Sequence, residues 1–549
     1  MPKGYLERVI TARLVFVSLV FLLVFVPFSH AIPDVLFVQK ERQSSEAIEL
    51  QTCQVLDFKK YHTSGEVVDM LQTFQISYPK LIRVYSIGDS FEGKPIWAAE
   101  ITNSLTGSHE TKPAMLFIGP HHGNEIIGQE IALYYTWYVL TNYGVNEKVT
   151  QILDEKTIYI IPCVNVDGND LTLKGFYQRN NARPRDEDLD GQLDEDPCED
   201  LNGDGKITQM RVWNETTNQW ISYPEGIDND GDGLYNEDGI GGVDLNRNYP
   251  KAWTNFSNSD HGAYPLSEPE TTAVKNFVES STNIAVVFDT HSGAQCLLHP
   301  WAYSRVFQTP DNSVYIALRE RYENLTGYEY RYVGANGACD DWIYDTQNAL
   351  CFIVELFGPM FYPGGESQFQ KDYPDVFVPW QNFTHPQLGC TQIGGSWIFR
   401  KYNPPEAEIE KWALKVLPML IDLVEITPKL EIAHFGVSKM MSGMFNFSVA
   451  VANIGFFDTA TLQALQTSTN KPVNISVLLS FNIELVGGNQ TVALSVIKNN
   501  ETVGTHWQIR IKQDGYAWVK VRVSSSNGGV DEVTVRFSVP ERERLHIIP

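Results

Sequence analysis

A histidine and a glutamate lie three residues apart in the segment Gly119–Glu125 (GPHHGNE), between a predicted strand and a predicted helix. At the opening of a helix, one turn directs His122 and Glu125 towards a single point. Histidine nitrogens and carboxylate oxygens both bind zinc in proteins. A catalytic zinc site also needs a third protein ligand and a position open to water. His291, at the end of the apolar run Ile284–His291, is the candidate third ligand. The pattern HxxE is common on helix surfaces, so the prediction depends on the residues around it.

A second carboxylate lies in an apolar run. Glu355 nearly terminates the run Phe352–Leu356, where a carboxylate costs free energy unless it has a partner or a function. Ligands of open α/β sheets bind beyond the carboxyl ends of the strands. Because His122, His291 and Glu355 all follow or end apolar runs, we expect them to meet at one sheet edge. A buried salt bridge with an arginine is the alternative explanation for Glu355.

The stretch Val243–Tyr249 (VDLNRNY) places Asn246 and Arg247 in a short polar segment. An arginine binds a carboxylate through two parallel hydrogen bonds. Taken alone, the segment is equally consistent with an ordinary surface loop.

The elements that would position these residues follow an α/β pattern from Tyr61 onwards. Short apolar runs predict strands at Leu81–Ile87, Pro95–Ile101, Ala114–Ile118, Thr157–Asn165, Ile284–His291 and Cys351–Leu356. Helical patterns lie near Ser64–Phe74, Glu125–Leu140 and Glu406–Val424. This alternation predicts a sheet with helices on both faces.

After Thr427 the sequence changes to short alternating runs of Val, Ile, Phe and Thr, separated by Gly and Asn. Such runs are Phe445–Ala452, Ile475–Leu485 and Ala517–Val523. The pattern predicts a separate all-β sandwich over residues 427–549, after an α/β unit over residues 58–426.

Two insertions interrupt the α/β unit, at residues 184–241 and 358–401, and the first contains an acidic repeat. Asp186–Asp196 and Asp228–Asp238 share acids at the first, third, fifth, tenth and eleventh places, and Asp200–Thr208 lies between them. Oxygen ligands on alternate residues, followed by a glycine, form loops that wrap calcium. A solvated acidic loop is the alternative, since no copy has Glu at the twelfth place. The predicted calcium ligands are Asp186, Asp188, Asp190, Asp200, Asn202, Asp204, Asp228, Asp230 and Asp232.

Six motifs in order, covering roughly residues 61 to 425, resemble the zinc carboxypeptidase family, the group that includes the digestive carboxypeptidases. They are HxxE, NxDG (Asn165–Gly168), DLNRN, DTHS (Asp289–Ser292), DDWIYD (Asp340–Asp345) and VEL (Val354–Leu356). The resemblance implies a three-layer α/β/α fold with a mixed eight-stranded sheet. It also implies zinc bound by His122, Glu125 and His291, with Glu355 as the general base.

Further roles follow from the resemblance. Asn246 and Arg247 would grip the C-terminal carboxylate of the substrate. An arginine of QRNNARP would stabilise the oxyanion; Arg179 is favoured over Arg183, because QRNNA resembles the GRNNA form found in part of the family.

Two more positions carry over from the family. Counting back from Asp341-Trp342 to the substrate-capping tyrosine reaches Val333, so Tyr332 takes that role if the loop shifts by one residue. The residue before this Asp-Trp pair lines the specificity pocket, and Asp340 resembles the branch that prefers basic C-terminal residues. A helix-start cap is the alternative for Asp340.

The predicted function is therefore a secreted zinc-dependent carboxypeptidase that hydrolyses the C-terminal peptide bond of peptides and proteins. One alternative is a zinc amidase or peptidase that acts on cell-wall peptides. The other is a catalytically inactive, calcium-stabilised binding protein on the same scaffold.

The net charge of -25 over 549 residues argues against a nucleic-acid partner.

Residues 1–31 are predicted to be a cleaved signal peptide, with a membrane anchor as the alternative. A short segment follows at residues 32–57. Cleavage would leave no lasting membrane association. Asn-x-Ser/Thr sites fit an exported glycoprotein and occur at Asn214, Asn255, Asn324, Asn382, Asn446, Asn474, Asn489 and Asn500. Of the seven cysteines, Cys198 and Cys390 are the better candidates for disulfide pairing.

Overall fold

The structure is a computed structural model that describes residues 57–186, 191–236, 238–254, 260–441, 443–513, 515–539 and 546–547. The predicted signal peptide, residues 32–56, Asp188 and Asp190 lie outside these ranges. Within them, no helix is both long enough and apolar enough to cross a membrane.

A mixed eight-stranded sheet forms the centre of the α/β part. Its strands are β1 (Ile82–Asp89), β2 (Pro95–Ile101), β3 (Ala114–Ile118), β4 (Thr157–Ile161), β5 (Ile284–His291), β6 (Cys296–Leu298), β7 (Glu329–Tyr330) and β8 (Leu350–Glu355). They lie in the order β1-β2-β4-β3-β5-β8-β6-β7. The neighbours β4, β3, β5 and β8 run parallel, whereas β1 and β2 are antiparallel.

Helices cover this sheet and complete the three-layer α/β/α fold. Every residue of β3, β4 and β5 is buried, so both faces of the sheet are covered at its centre. The fold class predicted from the sequence is confirmed. The helices are α1 (Ser64–Ser77), α2 (Ile127–Asn142), α3 (Glu147–Glu155), α4 (Val166–Leu173), α5 (Pro269–Ser280), α6 (Asn312–Thr326), α7 (Cys339–Thr346), α8 (Glu366–Asp372), α9 (Ile398–Tyr402), α10 (Ile409–Glu425) and α11 (Leu462–Thr467).

Some predicted boundaries are wrong for local reasons. The predicted strand Thr157–Asn165 ends at Ile161, directly before Pro162, which has no backbone N–H to donate. Asn165 instead caps α4, because its side-chain oxygen accepts the N–H of Gly168 at 2.9 Å.

The two insertions together form one four-stranded antiparallel sheet, which we call the insertion sheet. In spatial order its strands are Phe377–His385, Gly389–Ser396, Gln209–Asn214 and Gln219–Pro224. The central pairing joins the second insertion to the first, with Ile393 opposite Met210. This pairing was not predicted, since residues this far apart in the chain leave no local pattern of pairing in the sequence.

The C-terminal part contains two antiparallel sheets, as predicted, together with the short helix α11. One sheet contains Leu430–Met441, Met444–Asn453, Thr502–Ile511 and Ile483–Gly487, and the other contains Thr491–Leu494, Val473–Leu479, Gly515–Ser525, Gly529–Val539 and His546–Ile547. Their apolar residues form a second core that includes the fully buried Trp507 and Phe447. The predicted run Ile475–Leu485 is two strands, separated by Ser480–Asn482.

Polar contacts join this part to the α/β part. The carboxylate of Asp311 accepts the N–H groups of Leu462 and Gln463 at the start of α11, at 2.8 and 3.2 Å. Asn348 accepts the N–H of Thr461 at 2.8 Å. Buried side chains of the α/β part thus satisfy donors at the N-terminus of α11.

The six cysteines in the described ranges are unpaired, and Cys53 lies outside them. The expected pairing of Cys198 or Cys390 is therefore absent from the structure. Cys198 is partly exposed, Cys390 is exposed, and the other four described cysteines are buried.

Candidate active site

Three adjacent parallel strands bring the candidate residues together. His291 is the last residue of β5, Glu355 is the last residue of β8, and the two lie opposite each other in the strand register. His122 follows the end of β3, which pairs with β5 on its other side. His122, His291 and Glu355 therefore lie at one edge of the sheet, as predicted.

The three predicted zinc ligands point their donor atoms at one another. Nδ1 of His122 lies 2.8 Å from Oε1 of Glu125, and Nδ1 of His291 lies 3.1 Å from both His122 Nδ1 and Glu125 Oε2. All three side chains are at most 5% exposed. Ligands of a tetrahedral zinc ion lie roughly 3.3 Å apart, so this donor set fits a single zinc ion.

Neighbouring polar groups hold these ligands from behind. Nε2 of His122 lies 3.1 Å from Oδ1 of Asp244, and the N–H of Ser292 donates to Glu125 Oε2 at 2.8 Å. Nε2 of His291 lies 3.0 Å from the side-chain nitrogen of Asn246. Such partners fix the orientation of metal-binding imidazoles. The role of Asp244 was not predicted, although this residue opens the DLNRN motif.

Glu355 has an unused carboxylate oxygen in the same place. Its Oε2 atom is buried and has no hydrogen-bond partner among the described residues. Burial, and then the charge of Glu125, raise the pKa of Glu355 to about 7. No arginine in the described ranges forms an ion pair with it, so the alternative of a buried salt bridge is wrong.

A cavity of about 250 Å³ opens over these groups. Other predicted site residues also line it: Arg179, Asn246, Arg247, Tyr332 and Asp340. Arg183 is not among its lining residues. Its Nε atom donates to Glu268 at 2.8 Å and its guanidinium lies over the ring of Phe91.

Arg179 is anchored beside the metal ligands. Its Nη2 and Nε atoms donate to Oδ2 of Asp244 at 3.0 and 3.1 Å, and Nη1 lies 3.4 Å from Glu125 Oε1. A cation at this position can stabilise negative charge that develops on a substrate oxygen. Of the two arginines left open by the sequence, the structure brings Arg179 to the cavity.

The predicted capping tyrosine, Tyr332, and its neighbour Val333 both line the cavity. The hydroxyl of Tyr332 donates to the carbonyl oxygen of Ala302 at 2.9 Å. Val333 lines the same wall. Tyr332 therefore places a phenol in the cavity wall, next to the position that counting along the sequence reaches.

Asp340 lies in the wall of the cavity, 3% exposed. Its Oδ2 atom has no hydrogen-bond partner in the described part of the chain. Burial, followed by the charges of Asp341 and Asp289, raises the pKa of Asp340 well above its usual range. The alternative of a helix cap is wrong, because Ala338 is the N-cap of α7 and no side chain caps that helix.

Two copies of the acidic repeat form tight loops around their first aspartate. Asp200 accepts the N–H groups of Gly203 and Gly205 at 2.9 and 2.8 Å. Asp228 likewise accepts those of Gly231 and Gly233, at 2.6 and 3.1 Å. Oxygens of the predicted ligands Asp228, Asp230 and Asp232 lie within 4.8 Å of one another. Asn202 and Asp204 occupy corresponding places in the other loop, and Asp186 accepts the N–H of Gly191 in the first copy.

Comparison with known families gives two matches. A family model described as zinc carboxypeptidase matches residues 67–377, and a model for a domain of unknown function matches residues 429–536.

Curated proteins with similar sequences include carboxypeptidases of two types. Carboxypeptidase B2 of Bos taurus is 24% identical over 352 residues, which are 60% of this chain and 70% of that protein. Carboxypeptidase A4 of Mus musculus is 24% identical over 342 residues, 59% of this chain and 68% of that protein. Among solved structures, thrombin activatable fibrinolysis inhibitor matches with a TM-score of 0.46 and 21% identity, over 67% of this chain and 74% of its own.

Loss of one of the three predicted zinc ligands, His122, Glu125 and His291, is expected to abolish tight zinc binding. Loss of a residue that hydrogen-bonds to a metal ligand lowers metal affinity roughly 10–100-fold. Because His291→Ala removes a ligand itself, we expect zinc affinity to fall by more than that. Competition with a chromophoric chelator and metal analysis by mass spectrometry measure this. Glu355→Gln is the control and should retain zinc. Wild-type affinity in His291→Ala would contradict the assignment.

Proposed function

Because this chain belongs to the zinc carboxypeptidase family, we propose that it is a zinc-dependent peptidase that removes the C-terminal residue of peptides and proteins. The observation that carries the proposal is the meeting of the donor set of His122, Glu125 and His291 with the unused carboxylate oxygen of Glu355 in one cavity. A bound zinc ion would polarise the scissile carbonyl and lower the pKa of water.

Glu355 would act as the base and then the acid of the reaction. Its buried oxygen has no competing hydrogen bond among the described residues, so it can accept a proton from the attacking water. A pKa near neutrality allows the same carboxyl group to pass that proton to the leaving amine. Arg179, held by Asp244, would stabilise the oxyanion.

Arg247 and Asn246 would make the enzyme an exopeptidase. Both line the cavity that holds the metal ligands. A guanidinium there can bind the free carboxylate at the end of a substrate chain through two hydrogen bonds. This feature favours C-terminal peptide bonds over an amidase reaction on cell-wall peptides, which would not need a terminal carboxylate. The presence of Glu355 favours an enzyme over an inactive binding protein.

The test of this function is release of C-terminal residues from a peptide ending in arginine. We expect cleavage that a zinc chelator abolishes, and no cleavage of the same peptide with an amidated C-terminus. In Glu355→Gln, turnover should fall by about 10³-fold, because the proton acceptor is lost. Chromatography with mass spectrometry detects the released residue. Full activity of Glu355→Gln, or equal cleavage of the amidated peptide, would refute the mechanism.

We further propose that the enzyme prefers basic C-terminal residues. Asp340 is buried in the wall of the cavity and presents an oxygen without a partner among the described residues. An isolated buried carboxylate is costly, and the cationic side chain of arginine or lysine would compensate it.

Asp340→Asn should therefore change specificity more than activity. We expect kcat/KM for a peptide ending in Arg to fall about 100-fold, in line with loss of a buried charge pair, while a peptide ending in Phe changes less than about threefold. Asp345→Asn is the matched control, since Asp345 pairs with Lys251 and does not line the cavity. An unchanged ratio of Arg to Phe cleavage in Asp340→Asn would disprove the preference.

We also propose that the chain is exported as a glycoprotein and that its acidic loops bind calcium there. The matching loop geometry around Asp200 and Asp228 supports calcium, for which extracellular modules need only weak affinity. Millimolar calcium added to desalted, zinc-loaded protein should raise the melting temperature, and Asp228→Asn with Asp230→Asn should reduce the rise. Absence of any calcium effect would refute this site.

N-terminal sequencing and glycosidase treatment of exported protein test the export proposal.

A further inference from the structure

A second cavity, of about 380 Å³, lies beside the active site and includes parts of both insertions. We call it the side pocket and define it by the lining residues Tyr61, Lys174, Tyr177, Gly205, Trp397 and Phe399. Tyr61 precedes α1, Lys174 and Tyr177 follow α4, Gly205 comes from the first insertion, and the last two come from the end of the second. The side pocket therefore has walls from the α/β unit and from both insertions.

One pair of tyrosines separates the side pocket from the active-site cavity. The hydroxyls of Tyr177 and Tyr402 are 3.4 Å apart and their ring centroids are 6.1 Å apart. Tyr402 lines the active-site cavity, and Tyr177 lines the side pocket. The distance between the rings corresponds to about two residues of extended peptide.

Tyr402 approaches the metal ligands closely because residue 293 is glycine. A Cβ atom on Gly293 would lie 2.7 Å from Cε1 of Tyr402, which is too close for any other residue. Gly293 also has a φ of 122°, which side chains rarely adopt. The ring of Tyr402 thus packs against Gly293, two residues after His291. A peptide that left the active-site cavity on this side would cross the pair to reach the side pocket.

The wall of the side pocket is aromatic. The rings of Trp397 and Phe399 stack with centroids 5.3 Å apart, and Tyr61 meets Phe399 edge-on at 5.6 Å. Nζ of Lys206 lies 5.0 Å from the centroid of Trp397. Such a wall offers apolar surface to a peptide backbone together with a nearby cation.

Two lysines differ from the other charged residues at the side pocket: Lys174 lines it, and Lys206 lies between the lining residues Gly205 and Ile207. Lys60 pairs with Glu66, and Glu406 pairs with Arg400. Lys174 and Lys206, in contrast, form no ion pair with any residue that the structure describes. Both ammonium groups are therefore available to the carboxylate of a ligand.

We propose that the side pocket is a second substrate subsite, which binds an acidic side chain at least two residues before the scissile bond. Lys174 and Lys206 would attract its carboxylate, and the aromatic wall would carry the adjoining backbone. This inference rests on the proposed function, because the ligand is the same peptide whose C-terminus enters the active site.

The experiment compares two hexapeptides that end in Arg and differ only in Glu or Lys at the third and fourth residues before the scissile bond. We expect kcat/KM to be about tenfold higher for the Glu peptide, mainly through KM, and the difference to shrink as salt is raised. Lys174→Glu with Lys206→Glu should remove or invert this ratio. Lys371→Glu, which changes an exposed lysine of the second insertion that does not line the side pocket, should retain it.

Binding of the same hexapeptides to Glu355→Gln, measured by calorimetry, separates this inference from the proposed function. Tighter binding of the Glu peptide that depends on Lys174 and Lys206 supports the subsite whether or not any peptide is cleaved. Equal binding and equal cleavage of the two peptides would overturn the subsite, even if a blocked dipeptide ending in Arg is hydrolysed. Loss of dipeptide cleavage in the wild type would instead refute the proposed function.

Discussion

The parallel pairing of β3, β5 and β8 is the constraint on which the site depends. Parallel strands end at the same edge, and the register that sets Glu355 opposite His291 fixes the distance between the candidate base and a candidate metal ligand. A slip of one residue would turn either side chain to the other face of the sheet. The full burial of β3 and β5 resists such a slip, because each inward apolar residue would lose its packing.

This edge gathers titratable groups that are poorly compensated by the protein itself. Glu355 and Asp340 each keep a buried oxygen without a partner among the described residues, and two imidazole nitrogens face each other at 3.1 Å. Protein stability would favour satisfying these groups internally. Under the proposed function, the imidazoles would bind a metal, Glu355 would accept a proton and Asp340 would face a cationic substrate side chain. Packing of the surrounding sheet offsets the free energy that these buried groups without partners cost.

Sequence reasoning succeeded where the pattern is local. Ile284–His291 is a strand with the predicted bounds because its apolar run is unbroken, and HxxE needs only one turn to converge. Contacts between distant segments were not predictable in this way. Nothing near Met210 indicates that Ile393 will pair with it, and nothing near Asn246 indicates that its side chain contacts His291. The motifs identified the cavity, but the contacts within it depend on the packed fold.

The shared insertion sheet makes the two insertions a single structural unit. Removal of either one alone would leave its partner with an open strand edge, and such an edge is a template for aggregation. Gain or loss of the two segments is therefore expected to be coupled over evolution, although they are distant in the chain. A relative that contains one of them without the other would need a different device to close that edge.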